Sequence, residues 1–180
     1  MTPDDMQDMI PTWVAGRLKP MEKLAVHRQG LRHKAVSVFV IEGDHILLQQ
    51  RALGKYHSGG LWANTCCTHP HWGEAANACA RRRLQEELGI SGLVMRPVGQ
   101  VEYRAEVGND MVEHEVVDVF MARAPMRPVV WPDPEEVADT IWMTLAELDA
   151  AIADDPARFT PWLRIYLADH RERLFGGLND

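Results

Sequence analysis

The stretch EAANACARRRLQEELG, residues 74–89, constrains the fold most strongly, because its composition predicts one amphipathic helix. Ala80, Leu84 and Leu88 fall on one side of such a helix and form an apolar stripe that must pack against other elements. Gly89 suits the position after the last turn, where a left-handed conformation commonly ends a helix. Because β-rich segments lie both before and after this helix, we expect a mixed α/β (α+β) fold.

The β-rich segments have the composition of strands. AVSVFVI and HILLQQ flank Glu42-Gly43-Asp44, a combination that predicts a β-hairpin. Strands are therefore expected over residues 35–41, 45–50, 93–105 and 113–124, in a mixed sheet packed between helices.

The two ends of the chain differ in character. Residues 1–20 are acidic and broken by prolines, which predicts an irregular N-terminal arm. Two helices are expected to end the chain after a proline-rich connection at residues 125–134. Thr144 and Glu147 have capping-box spacing before the first, and Thr160-Pro161 supplies an N-cap and a first-turn proline for the second. No repeat or domain boundary interrupts the 180 residues, so one domain is predicted.

Composition and charge exclude several classes of protein. With 46% hydrophobic residues the chain can bury a substantial core. A net charge of −7 argues against nucleic-acid binding, and no apolar run is long enough to span a membrane. The N-terminus lacks the apolar core of a signal peptide. We therefore expect a cytoplasmic enzyme with a small-molecule substrate and no obligate protein partner.

The segment GLWANTCCTHPHWGE, residues 60–74, has an unusual density of reactive side chains. It could be a zinc knuckle, a disulfide-linked segment or the floor of an active site. The chain has three cysteines, and two of them are adjacent. This number and spacing make a poor disulfide framework and suit a protein in a reducing compartment. Cys67 and His69 would share a face of an extended chain, but this pair alone also fits a buried thiol beside a packed histidine.

Other segments supply candidate metal ligands. His27 and His33 flank a predicted turn at Gly30, and Glu113 and Glu115 would share one face of a strand. Each pair alone also fits a solvated surface. If all of them converged with His69, they would suit a hexacoordinate divalent ion such as Mn²⁺, Mg²⁺ or Zn²⁺.

The predicted helix also carries a motif. Arg83 and Glu87 can form an ordinary i,i+4 salt bridge. However, the segment resembles the Nudix box, G-x₅-E-x₇-R-E-U-x-E-E-x-G-U, in which U is a bulky aliphatic residue. Thr68 replaces its first glycine, and Arg83 replaces a glutamate that, in Nudix hydrolases, helps to organise the metal and the attacking water. The positions that match are Glu74, Arg82, Leu84, Glu86, Glu87, Gly89 and Ile90.

Together with NTCCTHP, EHEV and FTPWL, this degenerate box resembles the type I isopentenyl-diphosphate isomerases, which have the Nudix fold. The resemblance implies that Cys67 and Glu115 are catalytic, and that Tyr103 and Trp162 line the hydrocarbon pocket. It implies a tightly held divalent metal on His27, His33, His69, Glu113 and Glu115, and a second Mg²⁺, bound to the substrate diphosphate, on Glu87. Lys23, Arg51, Lys55 and Arg83 correspond to the cations that bind the diphosphate.

The implied reaction moves a double bond by one carbon, which requires two proton-transfer groups on opposite faces of the substrate. Glu115 is expected to protonate the alkene with Tyr103 as its hydrogen-bond partner, and Cys67 to remove or relay the second proton as a thiolate. The indole of Trp162 is expected to stabilise the cation through its quadrupole.

Two other functions remain open from the sequence. One is a Nudix hydrolase acting on a nucleotide or another diphosphate, against which the loss of the glutamate at Arg83 argues. The other is a metal-binding or partner-docking module that retains the fold without activity.

Overall fold

In the computed structural model, residues 8–178 are described, and their strands form one nine-stranded mixed sheet. The strands are β1 (Met9–Val14), β2 (Arg17–Glu22), β3 (His33–Glu42), β4 (His45–Arg51), β5 (Trp62–Ala63), β6 (Cys66–Thr68), β7 (Arg96–Glu106), β8 (Val112–Arg123) and β9 (Val137–Thr144). The helices are α1 (Lys23–Gln29), α2 (Ala76–Leu88), α3 (Leu145–Asp154), α4 (Pro161–Asp169) and α5 (Arg171–Phe175).

Strand β3 is the organising strand of the sheet. It pairs antiparallel with β1, β4 and β6, and parallel with β8. The register places Ser37 beside Cys67 on β6 and His33 beside Glu115 on β8. β7 completes this region by pairing antiparallel with β8. Segments that are distant in sequence are therefore brought side by side around one end of β3.

Alternation along the central strand divides the interior into two cores. Phe39 and Ile41 face a core that includes residues of α3, α4 and α5, whereas Val38 and Val40 face a second core against α2. Successive side chains of a strand point to opposite faces, so a strand that is buried on both faces contributes to both cores. The expected mixed sheet between helices is confirmed.

Residues that the sequence analysis identified mark the ends of several helices. Gly89 adopts a left-handed conformation after α2, with φ 68°. Thr144 and Glu147 form the expected capping box at α3, and Pro161 begins α4. Thr160 precedes α4 as its N-cap residue but makes no capping hydrogen bond with its side chain.

The prediction of an irregular N-terminal arm is wrong for residues 9–20, while residues 1–7 lie outside the described part of the chain. Strands β1 and β2 form an antiparallel hairpin that turns at Ala15 and Gly16, both with positive φ, which matches the twist of a two-residue hairpin. Pro11 and Pro20 occupy paired positions of this hairpin. Proline is tolerated where a strand donates no ladder bond, so these prolines did not exclude strands.

Five further elements were not predicted from the sequence. They are the short helix α1, the short strands β5 and β6, the strand β9 beside β4 and the last short helix α5. Among residues 8–178, no helix combines the length and the apolar character needed to cross a lipid bilayer.

Candidate active site

Several separated segments meet in one cavity beside β3. They are α1, the end of β4 with the loop after it, the segment around β6, α2, the β7–β8 pair and the start of α4, which adds Trp162. The lining residues that the sequence singled out are Lys23, Arg51, Lys55, Cys67, His69, Arg83, Glu87, Tyr103, Glu113, Glu115 and Trp162.

The five predicted metal ligands form one buried cluster. Each offers one nitrogen or carboxylate oxygen, and these atoms all lie within 4.8 Å of one another. Glu113 and Glu115 point to the same side of β8 because they are two residues apart, while His114 between them faces the other side and lies near Glu102. The members of the cluster are His27, His33, His69, Glu113 and Glu115.

Backbone carbonyls orient two of the histidines. His27 Nδ1 lies 2.6 Å from the Lys23 carbonyl oxygen, and His33 Nδ1 lies 2.7 Å from that of Leu31. An N–H at Nδ1 directed to a carbonyl leaves Nε2 as the nitrogen with a free lone pair. Such a contact to a carbonyl is the usual way in which a metal-ligating histidine is held.

The contact between His27 and Glu113 inside the cluster lacks hydrogen-bond geometry. His27 Nε2 and Glu113 Oε2 are 3.1 Å apart, yet both atoms are buried without a hydrogen-bond partner. His33 Nε2 and His69 Nε2 approach each other to 3.2 Å. Nitrogen and oxygen donors that converge on a common point in this way fit a bound divalent cation, and the set of three imidazoles and two carboxylates suits such an ion.

Glu115 is the carboxylate of this cluster that contacts both His69 and Tyr103. Its Oε1 lies 2.9 Å from His69 Nε2, and its Oε2 accepts a hydrogen bond of 2.7 Å from the Tyr103 hydroxyl. Burial, together with the adjacent Glu113 carboxylate, raises the pKa of Glu115 to about 7. A carboxyl group with this pKa can hold or release a proton near neutral pH.

Cys67 lines the same cavity from β6. Its thiol donates to Asn64 Oδ1 at 2.8 Å and lies 3.2 Å from Ser37 Oγ. The Asn64 amide nitrogen donates to the carbonyl oxygens of Val38 and Cys66, which fixes Oδ1 toward the thiol. Burial raises the pKa of Cys67 to about 12, which favours the neutral thiol before substrate binds.

The neighbouring cysteines lie elsewhere. Cys66 is fully buried and faces the core against α2, as expected from the alternation of a strand, and Cys79 lies in the same core. All three cysteines are free, which excludes the disulfide alternative for residues 60–74.

Trp162 lies at the start of α4 with 2% of its surface exposed. The Arg51 guanidinium is 5.3 Å from the centre of its ring. The side chain belongs to the core and also lines the cavity.

The four predicted diphosphate-binding cations lie along the cavity with two carboxylates between them. Arg83 donates to Glu87 Oε1 at 2.7 Å, and Gln49 donates to Glu87 Oε2 at 2.8 Å. Arg83 also contacts Glu136 at 3.1 Å, and Lys55 pairs with the same carboxylate. Burial, with further contributions from the Lys55 and Arg83 charges, lowers the pKa of Lys23 to about 8. An additional anion is electrostatically favoured where cations are crowded in this way.

Sequence reasoning missed several residues of this site, among them Ser37, His57, Asn64 and Glu136. His57 lies buried beside Glu113. Asn64 falls within the segment that attracted attention, so its proximity to Cys67 was the available signal. Glu136 follows the proline-rich connection, and no local pattern marks it.

Comparison with known proteins assigns the fold first. The NUDIX domain family matches residues 31–163. A structure from Deinococcus radiodurans is similar with a TM-score of 0.71 at 15% identity, covering 93% of this chain and 98% of that one. A MutT NUDIX hydrolase from Burkholderia pseudomallei has a TM-score of 0.60 at 22% identity, covering 77% and 98%. The chain therefore belongs to the NUDIX domain family.

Curated relatives narrow the assignment within that family. The isopentenyl-diphosphate Delta-isomerase of Cereibacter sphaeroides is 63% identical over 173 residues, covering 96% of this chain and 98% of the relative. That of Rhodobacter capsulatus is 61% identical over 169 residues, covering 94% and 96%. At this identity and coverage, the chain belongs with the isopentenyl-diphosphate Delta-isomerases.

Proposed function

We propose that this protein interconverts isopentenyl diphosphate and dimethylallyl diphosphate by adding a proton to the alkene and removing another from the adjacent carbon. One observation carries the proposal: Cys67 and Glu115, from different strands, line one buried cavity beside a cluster of metal ligands. Both groups can exchange a proton.

Glu115 is assigned as the group that protonates the terminal alkene carbon. Burial and the adjacent Glu113 carboxylate raise its pKa to about 7 in the metal-free protein, and the Tyr103 hydroxyl holds its Oε2 in place. Protonation at the end carbon generates a tertiary carbocation, and loss of a proton from the neighbouring methylene completes the shift of the double bond.

Cys67 is assigned to the second proton transfer. As a thiolate it accepts the proton in the forward direction, and as a thiol it donates the proton in the reverse direction. The neutral thiol held by Asn64 is the form that the reverse reaction needs. One proton is thus added from Glu115 and a different one is removed by Cys67, and each group is an acid in one direction and a base in the other.

A divalent ion, Mn²⁺, Mg²⁺ or Zn²⁺, would be held by the three histidines and two carboxylates of the buried cluster. When bound, it would supply positive charge at Glu115 and make the proton of that carboxyl more acidic. The protein itself orients the ligands, through the carbonyl contacts to His27 and His33.

Trp162 is assigned to stabilisation of the carbocation. Its buried indole lines the cavity, and the face of a desolvated indole can stabilise a cation by about 2 kcal/mol. Burial also keeps bulk water from the reactive cation.

The diphosphate of the substrate is assigned to Lys23, Arg51, Lys55 and Arg83, with a Mg²⁺ ion on Glu87. Because Arg83 and Lys55 are paired with carboxylates in the free protein, substrate binding must exchange these partners for phosphate oxygens. The proposal requires a small diphosphate ester as its substrate and no macromolecular partner. Free cysteines suit the reducing conditions of a cytoplasmic enzyme.

The test is direct. Purified protein with Mg²⁺ and isopentenyl diphosphate in D₂O should form dimethylallyl diphosphate that contains deuterium, followed by NMR without any redox cofactor. Phosphate release from a panel of nucleotide diphosphates, with no alkene shift, would instead support a Nudix hydrolase. Metal-loaded protein that is inert toward isopentenyl diphosphate would support a binding module.

A further inference from the structure

His57 is a buried histidine that neither the metal cluster nor the proposed proton transfers use. It follows β4 in a loop and has 2% of its surface exposed. Its Nε2 lies 2.8 Å from Glu113 Oε1. The group of mutually close ligand atoms does not include it. Its position is therefore beside the cluster and not inside it.

The two oxygens of Glu113 face different partners. Oε2 lies 3.1 Å from His27 Nε2 and 3.4 Å from His33 Nε2, within the cluster. Oε1 points away from these nitrogens, toward His57. A carboxylate with one oxygen held outside a cluster can offer only the other to an ion at its centre.

The loop and the surrounding rings hold His57 in this position. Its ring stacks on His27 with centroids 5.6 Å apart and meets the edge of Trp162 at 5.9 Å. Tyr56 packs against it edge to face at 4.4 Å. The Arg51 side chain donates to the His57 carbonyl oxygen, which fixes the backbone of the loop. Such packing leaves the imidazole little freedom to reorient.

We infer that His57 is a positioning residue that holds Glu113 Oε1 and so makes Glu113 a ligand through Oε2 alone. The inference rests on the metal site of the proposed function. It concerns the affinity and geometry of that site, and not the identity of the organic substrate. Metal binding can be measured without turnover, so failure of this inference and failure of the proposed isomerisation can be told apart.

Two substitutions separate the polar contact made by Nε2 from the packing of the ring. His57→Gln keeps a nitrogen near the position of Nε2, whereas His57→Phe keeps a ring but has no group to contact Glu113. His114→Phe is the matched control, because His114 is next to Glu113 on β8 but faces the other side of the strand.

The measurement is the dissociation constant of Mn²⁺ and, separately, of Zn²⁺, obtained by competition with a chelator on metal-free protein. We expect His57→Phe to weaken binding by about 10- to 100-fold, the usual effect of removing a partner of a metal ligand. His57→Gln should remain within about threefold of the unmodified protein, and His114→Phe should match it. The electron paramagnetic resonance spectrum of bound Mn²⁺ should broaden in His57→Phe and be restored in His57→Gln.

Two outcomes would overturn the inference. Unchanged metal affinity in His57→Phe would show that Glu113 needs no such partner. Equal losses in His57→Phe and His57→Gln would show that only the shape of the ring matters. Circular dichroism of the metal-free variants establishes that they fold. If His57→Phe does not fold, His57→Asn replaces it, because its shorter amide cannot reach Glu113, and equal affinity of the Asn and Gln variants would refute the inference.

Discussion

The Tyr103 hydroxyl donates a hydrogen bond of 2.7 Å to Glu115 Oε2, and the two residues are direct partners across the antiparallel pair β7 and β8. Both side chains are buried, so the hydroxyl is well placed to control the carboxyl group. We expect Tyr103→Phe to lower kcat about 10- to 100-fold, since a hydrogen bond to a charged group contributes about 1.5–3 kcal/mol. Steady-state kinetics with isopentenyl diphosphate checks this, and an unchanged kcat would contradict the role of the hydroxyl.

Loss of either proton-transfer group should stop the reaction while the fold persists. Cys67→Ala and Glu115→Gln should each reduce turnover by more than about 100-fold, the lower end of the contribution of positioned acids and bases. Deuterium incorporation by NMR measures the residual rate. The control is Cys66→Ala, because this adjacent thiol faces the opposite core. Turnover by Cys67→Ala equal to that of the control would refute the assignment of Cys67.

The indole of Trp162 should increase the reaction rate through its aromatic face and not only through the volume that it fills. Trp162→Phe keeps an aromatic face and should retain more activity than Trp162→Ala, which should lose about 30-fold in kcat, equivalent to about 2 kcal/mol. Thermal unfolding of the metal-loaded variants separates the loss of packing from the loss of catalysis. The reverse order of activities, at comparable stability, would count against stabilisation of a cation.

Metal affinity should increase with pH. Burial by itself disfavours a charged His33, but the adjacent Glu113 and Glu115 carboxylates outweigh it and raise the pKa of His33 to about 10 in the metal-free protein. The pKa of Glu115 is raised to about 7 as well. Both groups therefore carry protons that a metal must displace, so affinity is lower at low pH and rises as the groups deprotonate.

For each proton displaced, the dissociation constant should fall about tenfold per pH unit below the relevant pKa. Chelator competition between about pH 6 and pH 8 measures the slope, and proton release on metal addition gives an independent count. A dissociation constant that does not change with pH would show that these side chains are not the ligands.

Glu136 should oppose the binding of an anion. Its carboxylate pairs with Lys55 and Arg83 in the free protein, so it occupies two cations that the diphosphate is proposed to need. Glu136→Gln should tighten the binding of inorganic pyrophosphate roughly fivefold, which corresponds to about 1 kcal/mol for a partly exposed ion pair. Isothermal titration calorimetry provides the measurement.

The matched control is Glu135→Gln. Glu135 is adjacent to Glu136 and exposed, and its substitution removes the same charge. It should leave pyrophosphate binding unchanged. Weaker binding by Glu136→Gln would mean that Glu136 chiefly holds the two cations in position, and the proposed competition would then be wrong.

Structural features that depend on residues close together in sequence were predicted correctly. The apolar stripe and Gly89 placed α2, the Glu42-Gly43-Asp44 turn placed the β3–β4 hairpin, and alternation put Glu113 and Glu115 on one face of β8. The β1–β2 hairpin was missed because Pro11 and Pro20 usually interrupt strands, although proline fits a strand position that donates no ladder hydrogen bond.

The sequence by itself determined the family-specific motifs and the identity of the chemical groups: a thiol, two carboxylates, three imidazoles and several cations. Only the tertiary structure decided that Asn64 and Ser37 contact Cys67, that His57 Nε2 lies beside Glu113 Oε1 and that Glu136 pairs with the proposed diphosphate-binding cations. The physical reason is that a side chain's identity and periodicity are local properties. Protonation states and ligand contacts depend on burial and on partners that strand pairing brings together from distant segments.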